Sequence, residues 1–270
     1  MLIKNIMSTE TRVIDKDKNI QDALRLMNKN RISRLIVVDS KKNKTVIGML
    51  TETDIAKKLG SSKYGNLPPA HFHISTVMTK NLITVDSETS LGEASEIMLE
   101  NNISSLPIMD EGLLTGIVTK TDFVEICQGK AYEKEIVGQN MTTDLITTDI
   151  TDRLIHARRI MLDAKVRRIF VTENEEIVGV ITAKDIAKTM ANFRKNTPEK
   201  HQATQIRQLG VEEVMSTNLI SIYEEDSIPT ASKLMLDKKL SGLPVRNKAD
   251  AIIGLLTKTD LLELVNSLEN

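Results

Sequence analysis

The chain has 270 residues, 40% of them hydrophobic, which is enough to bury a core in each of about two ordinary domains. Its 36 basic residues balance 37 acidic ones and only 3% of its residues are aromatic, so binding to nucleic acid or to an anionic membrane is disfavoured. No apolar run reaches the roughly 18 residues of a membrane span, and the first residues lack the apolar stretch of a secretory signal, so we expect a cytoplasmic protein.

A repeated order of elements begins in the first 60 residues. A helix with Ile20, Ala23, Leu24 and Met27 on one face is followed by two apolar β runs and a second helix, which read RLIVVD, TVIGML and TDIAKKL. The second copy opens with a short β-rich run, NLITVD. An amphipathic helix, two β runs joined by an Asp-Glu-Gly turn and a closing helix follow, as SLGEASEIMLENN, SSLPIMD, LLTGIVT and TDFVEIC. Cys127, the single cysteine, lies in this last apolar stretch, so we expect an inert buried thiol.

The third and fourth copies keep the same order. The third reads TDRLIHARRIML, RRIFVT, EIVGVIT and KDIAKTM, and the fourth places Pro229 in the first turn of the helix SIPTASKLML, where a missing N–H costs little. Strand, helix, strand, strand, helix, repeated four times, predicts an α+β fold.

Two insertions define the predicted domain boundaries, one over residues 61–74 and one over residues 191–208. We therefore place the repeats at 1–60, 75–130, 138–191 and 211–270. A copy of about 55 residues buries too little surface to fold alone, so we expect tandem copies to pack their sheets together in two modules. These modules would span residues 1–130 and 132–270.

Two spacings recur in register in all four copies. A Met lies twenty residues before another Met, and a Gly lies six residues before an Asp; the pairs are Met7/Met27, Met78/Met98, Met141/Met161, Met215/Met235 and Gly48/Asp54, Gly116/Asp122, Gly179/Asp185, Gly254/Asp260. We interpret the Met pairs as core packing on the first helix of each copy. The glycines are interpreted as close-packing positions.

The Thr and Asp residues that end each copy offer groups suited to a nucleotide. Hydroxyls and backbone N–H groups at a helix N-terminus attract phosphate, and an ionised Asp can accept two hydrogen bonds from the neighbouring hydroxyls of a ribose. Thr and Asp at a helix start are also ordinary caps, so a purely structural role stays open.

The element order, the strands at Leu106-Pro107-Ile108 and Leu243-Pro244-Val245, and the endings GMLTETD, GIVTKTD, GVITAKD and GLLTKTD resemble the cystathionine β-synthase (CBS) domain family. Two such domains form a Bateman module, and four in one chain resemble the γ subunit of AMP-activated protein kinase and stand-alone proteins of archaea and bacteria. The resemblance implies four clefts between paired domains, each built from the Thr and Asp of one copy and the first strand and helix of its partner.

Each implied cleft therefore has two halves. The first pairs Thr51, Thr53 and Asp54 with Thr84, Thr89, Ala94, Ile103 and Ser104, and the second pairs Thr119, Thr121 and Asp122 with Val13, Ala23, Ile32 and Ser33. The third pairs Thr182 and Asp185 with Ser221, Ala231, Leu240 and Ser241, and the fourth pairs Thr257, Thr259 and Asp260 with Thr147, Ala157, Val166 and Arg167.

Some residues depart from this pattern. Lys184 replaces the second Thr in copy three, and Asp226 stands where copy two has Thr89, which puts the Asp185 cleft in most doubt. Arg167, Arg168, Arg31 and Arg34 flank the cleft-lining turns and are candidates to grip phosphate, or else ordinary surface residues. His71 and His73 lack the further ligands that a metal site needs, so we expect no metal.

The resemblance implies a regulatory sensor whose clefts bind AMP, ADP, ATP, S-adenosylmethionine, NAD or coenzyme A. We expect no enzyme and no catalytic cofactor, because the chain shows no nucleophile beside a base and no phosphate loop. A homodimer or a complex with a regulated protein would read the occupancy. The alternatives are a scaffold with vestigial clefts and, less favoured, a catalytically active protein.

Overall fold

The computed structural model describes residues 1–40, 45–59, 68–198, 201 and 204–269. The first half of the chain forms two repeats of mixed helix and strand. Repeat 1 consists of β1 Val13–Asp15, α1 Ile20–Asn30, β2 Arg34–Val38, β3 Val46–Thr51 and α2 Glu52–Leu59. Repeat 2 consists of α3 Leu91–Glu100, β4 Ser105–Asp110, β5 Leu113–Thr119 and α4 Lys120–Ile126. The predicted elements are confirmed except for the first strand of repeat 2.

The second half of the chain forms two further repeats. After a short helix, α5 Val137–Asn140, repeat 3 consists of β6 Thr147–Asp149, α6 Leu154–Asp163, β7 Arg168–Glu173, β8 Glu176–Thr182 and α7 Ala183–Asn196. Repeat 4 consists of β9 Ile222–Tyr223, α8 Ile228–Asp237, β10 Gly242–Arg246, β11 Ile252–Thr257 and α9 Lys258–Glu269. Pro229 lies in the first turn of α8, as predicted, and Ser227 caps this helix.

A proline in the middle strand accompanies a short or missing first strand in repeats 2 and 4. In repeat 1 the first strand pairs in parallel with β2, and the Ile36 N–H donates to the Arg12 carbonyl. In repeat 3, Phe170 donates in the same way to Ile146. The equivalent residues of repeats 2 and 4 are Pro107 and Pro244, which have no N–H. The first strand is reduced to a single bridge, from Val85 to Ile108, in repeat 2 and to the two residues of β9 in repeat 4.

The four repeats are grouped by their contacts into two compact units. Unit 1 comprises Met1–Thr11, Ile83–Leu145 and Leu219–Asn270, and unit 2 comprises Arg12–Leu82 and Ile146–Asn218. Unit 1 thus holds repeats 2 and 4, and unit 2 holds repeats 1 and 3. The compact units therefore cut across the tandem pairs, and the tandem modules stay a prediction.

Each unit has one continuous apolar core to which both of its repeats contribute. In unit 2, α2 packs against α7; in unit 1, α9 packs against α3 and α4, and α4 also packs against α8. Cys127 is fully buried in the core of unit 1, as predicted, and burial raises the pKa of its thiol to about 12. Sharing a core between two repeats supplies the apolar burial that a single repeat lacks.

The segment before each repeat, here called its leader, joins the sheet of the neighbouring repeat. The leaders are residues 1–11, 72–82, 134–145 and 209–218, and each ends where the chain passes from one compact unit to the other. Their antiparallel bridges to the third strand of the neighbour are Ser8 to Ile117, Thr79 to Met49, Thr142 to Leu255 and Ser216 to Val180. Repeats 1 and 2 therefore exchange leaders, and so do repeats 3 and 4.

The recurring methionines divide into two groups. The second Met of each pair lies on the first helix of its repeat and is buried, as predicted, at Met27, Met98, Met161 and Met235. The first Met of each pair lies on a leader instead, so the prediction is wrong for these four. Their Sδ atoms lie against the recurring glycines of the neighbouring repeat, in the pairs Met7/Gly116, Met78/Gly48, Met141/Gly254 and Met215/Gly179. The glycines are confirmed as close-packing positions.

The predicted insertions extend too far in both places. Phe72 and Ile74, at the end of the first, are buried in the core of unit 2. Helix α7 continues through Ala191 to Asn196, into the second. Apolar residues at the edges of an insertion therefore belong to the repeats.

Candidate ligand-binding site

The last strand of each repeat (β3, β5, β8 or β11) runs directly into a helix at a Thr-x-x-Asp motif, whose residues are numbered here one to four. In repeat 1 the Thr51 N–H and hydroxyl both donate to Asp54 Oδ2, at 2.8 and 2.7 Å, and the Asp54 N–H donates to Thr51 Oγ1 at 3.2 Å. Thr119 with Asp122 and Thr182 with Asp185 form equivalent capping boxes. The structural role considered from the sequence, a helix cap, is therefore present.

The cap uses one carboxylate oxygen of each motif Asp. For Asp54, Asp122 and Asp185, the hydrogen bonds among the described residues all go to Oδ2. In repeat 4, Asp260 also accepts at Oδ1, from the Thr142 hydroxyl at 3.0 Å. A carboxylate has two oxygens. In Asp54, Asp122 and Asp185 the cap therefore leaves Oδ1 as the atom that can accept a hydrogen bond from a ligand.

Burial perturbs two of these carboxyl groups. Desolvation raises the pKa of Asp54 and of Asp122 above the ordinary value, and the hydrogen bonds from Thr51 and Thr119 act in the opposite direction. Both acids are partly removed from water and held in one orientation by the preceding threonine. Such a group is preorganised to accept hydrogen bonds from a ligand that replaces water.

A turn of the same repeat touches each motif. The N–H of the second motif residue donates to a carbonyl in the turn before the middle strand, in the pairs Glu52 to Ser33, Lys120 to Ser104, Ala183 to Arg167 and Lys258 to Ser241. The predicted base-lining turn and the Thr-x-x-Asp motif of each repeat therefore lie at the same end of its sheet.

In unit 1, lysines at the second motif position reach across to the other repeat. Lys120 Nζ donates to Thr259 Oγ1 at 2.8 Å, and Lys258 Nζ donates to Thr121 Oγ1 at 2.7 Å. Thr121 and Thr259 occupy the third motif position and were predicted to contact the ligand. The two motifs of unit 1 are thus linked by a reciprocal pair of hydrogen bonds.

In unit 2, the same two positions form an ion pair. Glu52 at position two of repeat 1 lies 3.9 Å from Lys184 Nζ at position three of repeat 3. Burial raises the pKa of Glu52, and Lys184 lowers it. Arg167 is electrostatically coupled to Asp54 and Glu52, although the sequence interpretation placed it with Asp260.

The other predicted ligand residues have varied environments. The four alanines of the first helices, Ala23, Ala94, Ala157 and Ala231, are fully buried in the cores, and Thr89 and Ser104 are also buried. Partly buried or exposed positions are Val13, Ile32, Ser33, Thr84, Ile103, Thr147, Val166, Ser221, Leu240 and Ser241. In every predicted cleft the Thr and Asp belong to one compact unit and these partner residues to the other, so the assembled clefts stay a prediction.

Two cavities in unit 1 adjoin predicted ligand residues. One of about 430 Å³ is lined by Ser221, Tyr223, Asp226 and Lys233, among others. Asp226 accepts from the Tyr223 N–H at 2.9 Å, so this carboxylate has a turn-forming role of its own. A second cavity of about 380 Å³ is lined by Asp260, Thr142 and other residues of α9 and the third leader.

The contacts made by position two were missed from the sequence. Lys120, Lys258 and Glu52 are not among the ligand residues predicted from the sequence. One indication was present: position two is Lys in both motifs of unit 1 but Glu and Ala in unit 2. Its contacts join repeats that are far apart in the chain, so local periodicity does not show them.

The described residues add little towards other classes of site. No group of three or more His, Cys, Asp and Glu side chains among them could hold a metal ion. His73 instead places Nδ1 3.0 Å from the Asp17 carbonyl oxygen. None of the described helices combines the length and apolar composition that a membrane crossing requires.

Comparison with known proteins matches the whole repeat array. The CBS domain model matches residues 3–61, 74–129, 134–192 and 211–267. The protein MJ1225 of Methanocaldococcus jannaschii is 29% identical over 90% of this chain and 91% of its own length. A second protein of that organism, MJ1404, is 25% identical over 99% of this chain but only 62% of its own length.

Solved structures show the same fold. The crystal structure of MJ1225, described as a candidate archaeal homologue of the γ subunit of AMP-activated protein kinase, covers 98% of this chain with a TM-score of 0.82 and 26% identity. A conserved protein of Pyrococcus horikoshii covers 98% of the chain with a TM-score of 0.64 and 18% identity.

Proposed function

This chain belongs to the CBS domain family as a four-repeat regulatory protein, and from that premise we propose that it senses an adenosine-containing ligand through its Thr-x-x-Asp motifs. The ligand classes considered are AMP, ADP, ATP, S-adenosylmethionine, NAD and coenzyme A. The resemblance of MJ1225 to a kinase regulatory subunit is consistent with a regulatory role but concerns that protein.

The observation that carries the proposal is the geometry of the motif carboxylates. In Asp54 and Asp122, Oδ2 is fixed by the preceding threonine, whereas Oδ1 has no hydrogen bond among the described residues. Neighbouring ribose hydroxyls donate two hydrogen bonds, and a fixed, partly desolvated carboxylate accepts them without first losing rotamer freedom. A cap and a ribose acceptor can therefore be the same residue.

Regulation follows if ligand binding favours one arrangement of the repeats over another. A ligand shifts such an equilibrium only by the difference between its affinities for the two arrangements. We propose that a partner, either a second copy or a regulated protein, reads the favoured arrangement.

The alternative is a scaffold with vestigial clefts, and the capping boxes are the observation that favours it. Each motif Asp is already used in the fold, so its recurrence alone does not require a ligand. Calorimetry of the full chain against adenosine, AMP, ATP, S-adenosylmethionine, NAD and coenzyme A separates the two. Binding of at least one compound supports the sensor, and no heat with any of them supports the scaffold.

A single variant then connects binding to the motif. Asp122→Asn keeps one oxygen for the cap but replaces the other with an amide donor, so it should preserve folding while weakening binding at one site by about 1.5 to 3 kcal/mol. The control is Asp163→Asn, a change of the same chemistry at a carboxylate that is 71% exposed on α6. Equal binding by the two variants would contradict the assignment of Asp122.

A further inference from the structure

The lysines that cross between the two motifs of unit 1 are here called the crossed lysines, Lys120 and Lys258. Each bonds to the third-position threonine of the opposite repeat, at 2.8 Å for Thr259 and 2.7 Å for Thr121. Each ammonium group is thus brought to a motif other than its own. The motif of repeat 2 receives the cation of repeat 4, and the motif of repeat 4 receives the cation of repeat 2.

These threonine hydroxyls remain able to bind a ligand. A hydroxyl that accepts a hydrogen bond from an ammonium group still has its own hydrogen to donate. An anionic oxygen that accepts from Thr121 would therefore lie near Lys258 Nζ, and one that accepts from Thr259 would lie near Lys120 Nζ. A phosphate, with several acceptor oxygens, can use both donors at once.

The surroundings of Lys120 increase the effect of its charge. This residue is only 8% exposed, and its charge acts on Glu263, whose pKa is raised chiefly by burial and further by Asp260. Solvent screens a charge in such a place less than it screens one at the surface. A phosphate at Thr259 would therefore gain more from Lys120 than from an exposed lysine at the same distance.

Unit 2 provides an internal comparison. There the second motif position is Glu52 in repeat 1 and Ala183 in repeat 3, so neither supplies a crossed lysine. Lys184, at the third position of repeat 3, is paired with Glu52. In unit 2 the positive charge near the motifs therefore comes from other positions, with Arg167 acting on Asp54 and Glu52, and Lys184 acting on Glu52.

We propose that the crossed lysines select a ligand with a negatively charged 5′ substituent. Lys258 acts at the site built on Thr121 and Asp122, and Lys120 acts at the site built on Thr259 and Asp260, where Oδ1 accepts one hydrogen bond from Thr142 and can accept a second. The sites built on Asp54 and Asp185 have no crossed lysine. The inference rests on the proposed adenosine-binding function and assigns a ligand class to the two sites of unit 1.

The test isolates one site in the full chain. Replacing Asp54, Asp185 and Asp260 with Asn leaves the Asp122 site, and replacing Asp54, Asp185 and Asp122 leaves the Asp260 site. Calorimetry with AMP and with adenosine then measures the preference for a phosphate in each chain. Lys258→Met and Lys120→Met are then introduced separately into each of these two chains. The control is Lys134→Met, which replaces an exposed lysine of unit 1.

We expect Lys258→Met to weaken AMP binding at the Asp122 site by about tenfold or more, while adenosine binding changes by less than about twofold. Lys120→Met should weaken AMP binding at the Asp260 site by a larger factor than Lys258→Met weakens it at the Asp122 site. Lys258→Arg, which keeps the charge, should retain most of the preference for AMP, and thermal unfolding checks that each variant is folded.

Each outcome decides the inference. Equal losses of AMP and adenosine affinity, or a loss with Lys134→Met as large as with Lys258→Met, would overturn it and leave the proposed function standing. An unaltered preference for AMP in both crossed-lysine variants would do the same. A wild-type protein that binds no adenosine compound would overturn the proposed function and this inference together.

Discussion

Unit 1 and unit 2 contain the same helix start in different electrostatic surroundings. In unit 1 the motifs are joined by Lys120 and Lys258 bonded to neutral threonines, whereas in unit 2 Glu52 pairs with Lys184. The first and fourth motif positions are Thr and Asp in all four repeats, and the positions between them differ. Thr and Asp thus build the cap, and the inner two residues give the two units different contacts between their motifs.

The largest expected effect tests whether the leader packs equally tightly against the sheets of repeat 1 and repeat 2. A Cβ added to Gly48 would lie 2.7 Å from the Thr79 carbonyl oxygen, whereas one added to Gly116 would lie 2.7 Å from Met7 Sδ and 3.1 Å from the Ser8 carbonyl oxygen. Backbone moves less readily than a methionine side chain. Gly48→Ala should therefore lower the free energy of unfolding by about 2 to 3 kcal/mol and Gly116→Ala by about 1 kcal/mol.

Urea unfolding measures both values, and Gly210→Ala is the control because its nearest contact would be an ordinary 3.4 Å. Met7→Ala should relieve part of the cost of Gly116→Ala, since the neighbouring atom is then removed. A larger loss in the free energy of unfolding for Gly116→Ala than for Gly48→Ala would contradict the predicted difference in leader packing.

A smaller effect distinguishes the two repeats of unit 1. Ser95 donates to the Gly92 carbonyl at 2.6 Å and lies 2.9 Å from Asn266 Oδ1, whereas the equivalent Ser232 hydroxyl is buried and has no hydrogen-bond partner among the described residues. Ser95→Ala should cost about 1 kcal/mol, and Ser232→Ala should stabilise by about 0.5 to 1 kcal/mol because an unpaired buried hydroxyl is removed. Ser95→Ala should therefore lower the thermal midpoint and Ser232→Ala should raise it. Shifts in the same direction would contradict the different hydrogen bonding of the two hydroxyls.

The smallest expected effect concerns the ion pair of unit 2 and its pH dependence. Burial raises the pKa of Glu52 in the folded state, so the folded protein binds this proton more tightly than the unfolded chain does. The contribution of Glu52 to stability should therefore fall as pH rises from the ordinary carboxyl range through its raised pKa. Glu52→Gln should remove that slope and change stability at neutral pH by less than about 1 kcal/mol.

Urea unfolding of wild type and Glu52→Gln between pH 4 and 7 measures this slope. Glu225→Gln is the matched control, since that carboxylate is 57% exposed and forms an ion pair with Lys248. If the free energy of unfolding of wild type, relative to that of Glu52→Gln, increased with pH, the predicted direction of the pH dependence would be wrong.

Local patterns predicted the repeats and their elements well. The helix periodicity that included Met27 and Met98 identified buried positions, and the caps at Ser227 and Thr119 follow from residue type. The shortening of the first strand in repeats 2 and 4 was also predictable, because Pro107 and Pro244 remove a donor that their equivalents Ile36 and Phe170 use.

Contacts between distant repeats were not predictable in this way. Met7 recurs in register with the helix-core methionines, yet its Sδ lies against Gly116, more than a hundred residues away. Lys120 likewise bonds to Thr259 of another repeat. Periodicity reports the environment of a residue within its own element, whereas these contacts depend on which repeats share a core.

The central claim is that a motif carboxylate both caps its helix and holds a ribose. The most direct test uses the chain in which Asp54, Asp185 and Asp260 are replaced by Asn, and compares it with the same chain after Asp122→Asn, by calorimetry with adenosine and 2′-deoxyadenosine. We predict that the chain with Asp122 binds adenosine about tenfold more tightly than 2′-deoxyadenosine. Asp122→Asn should lose most of this preference while its thermal midpoint stays close to that of the parent chain. An undiminished preference for adenosine in a folded Asp122→Asn variant would contradict the claim.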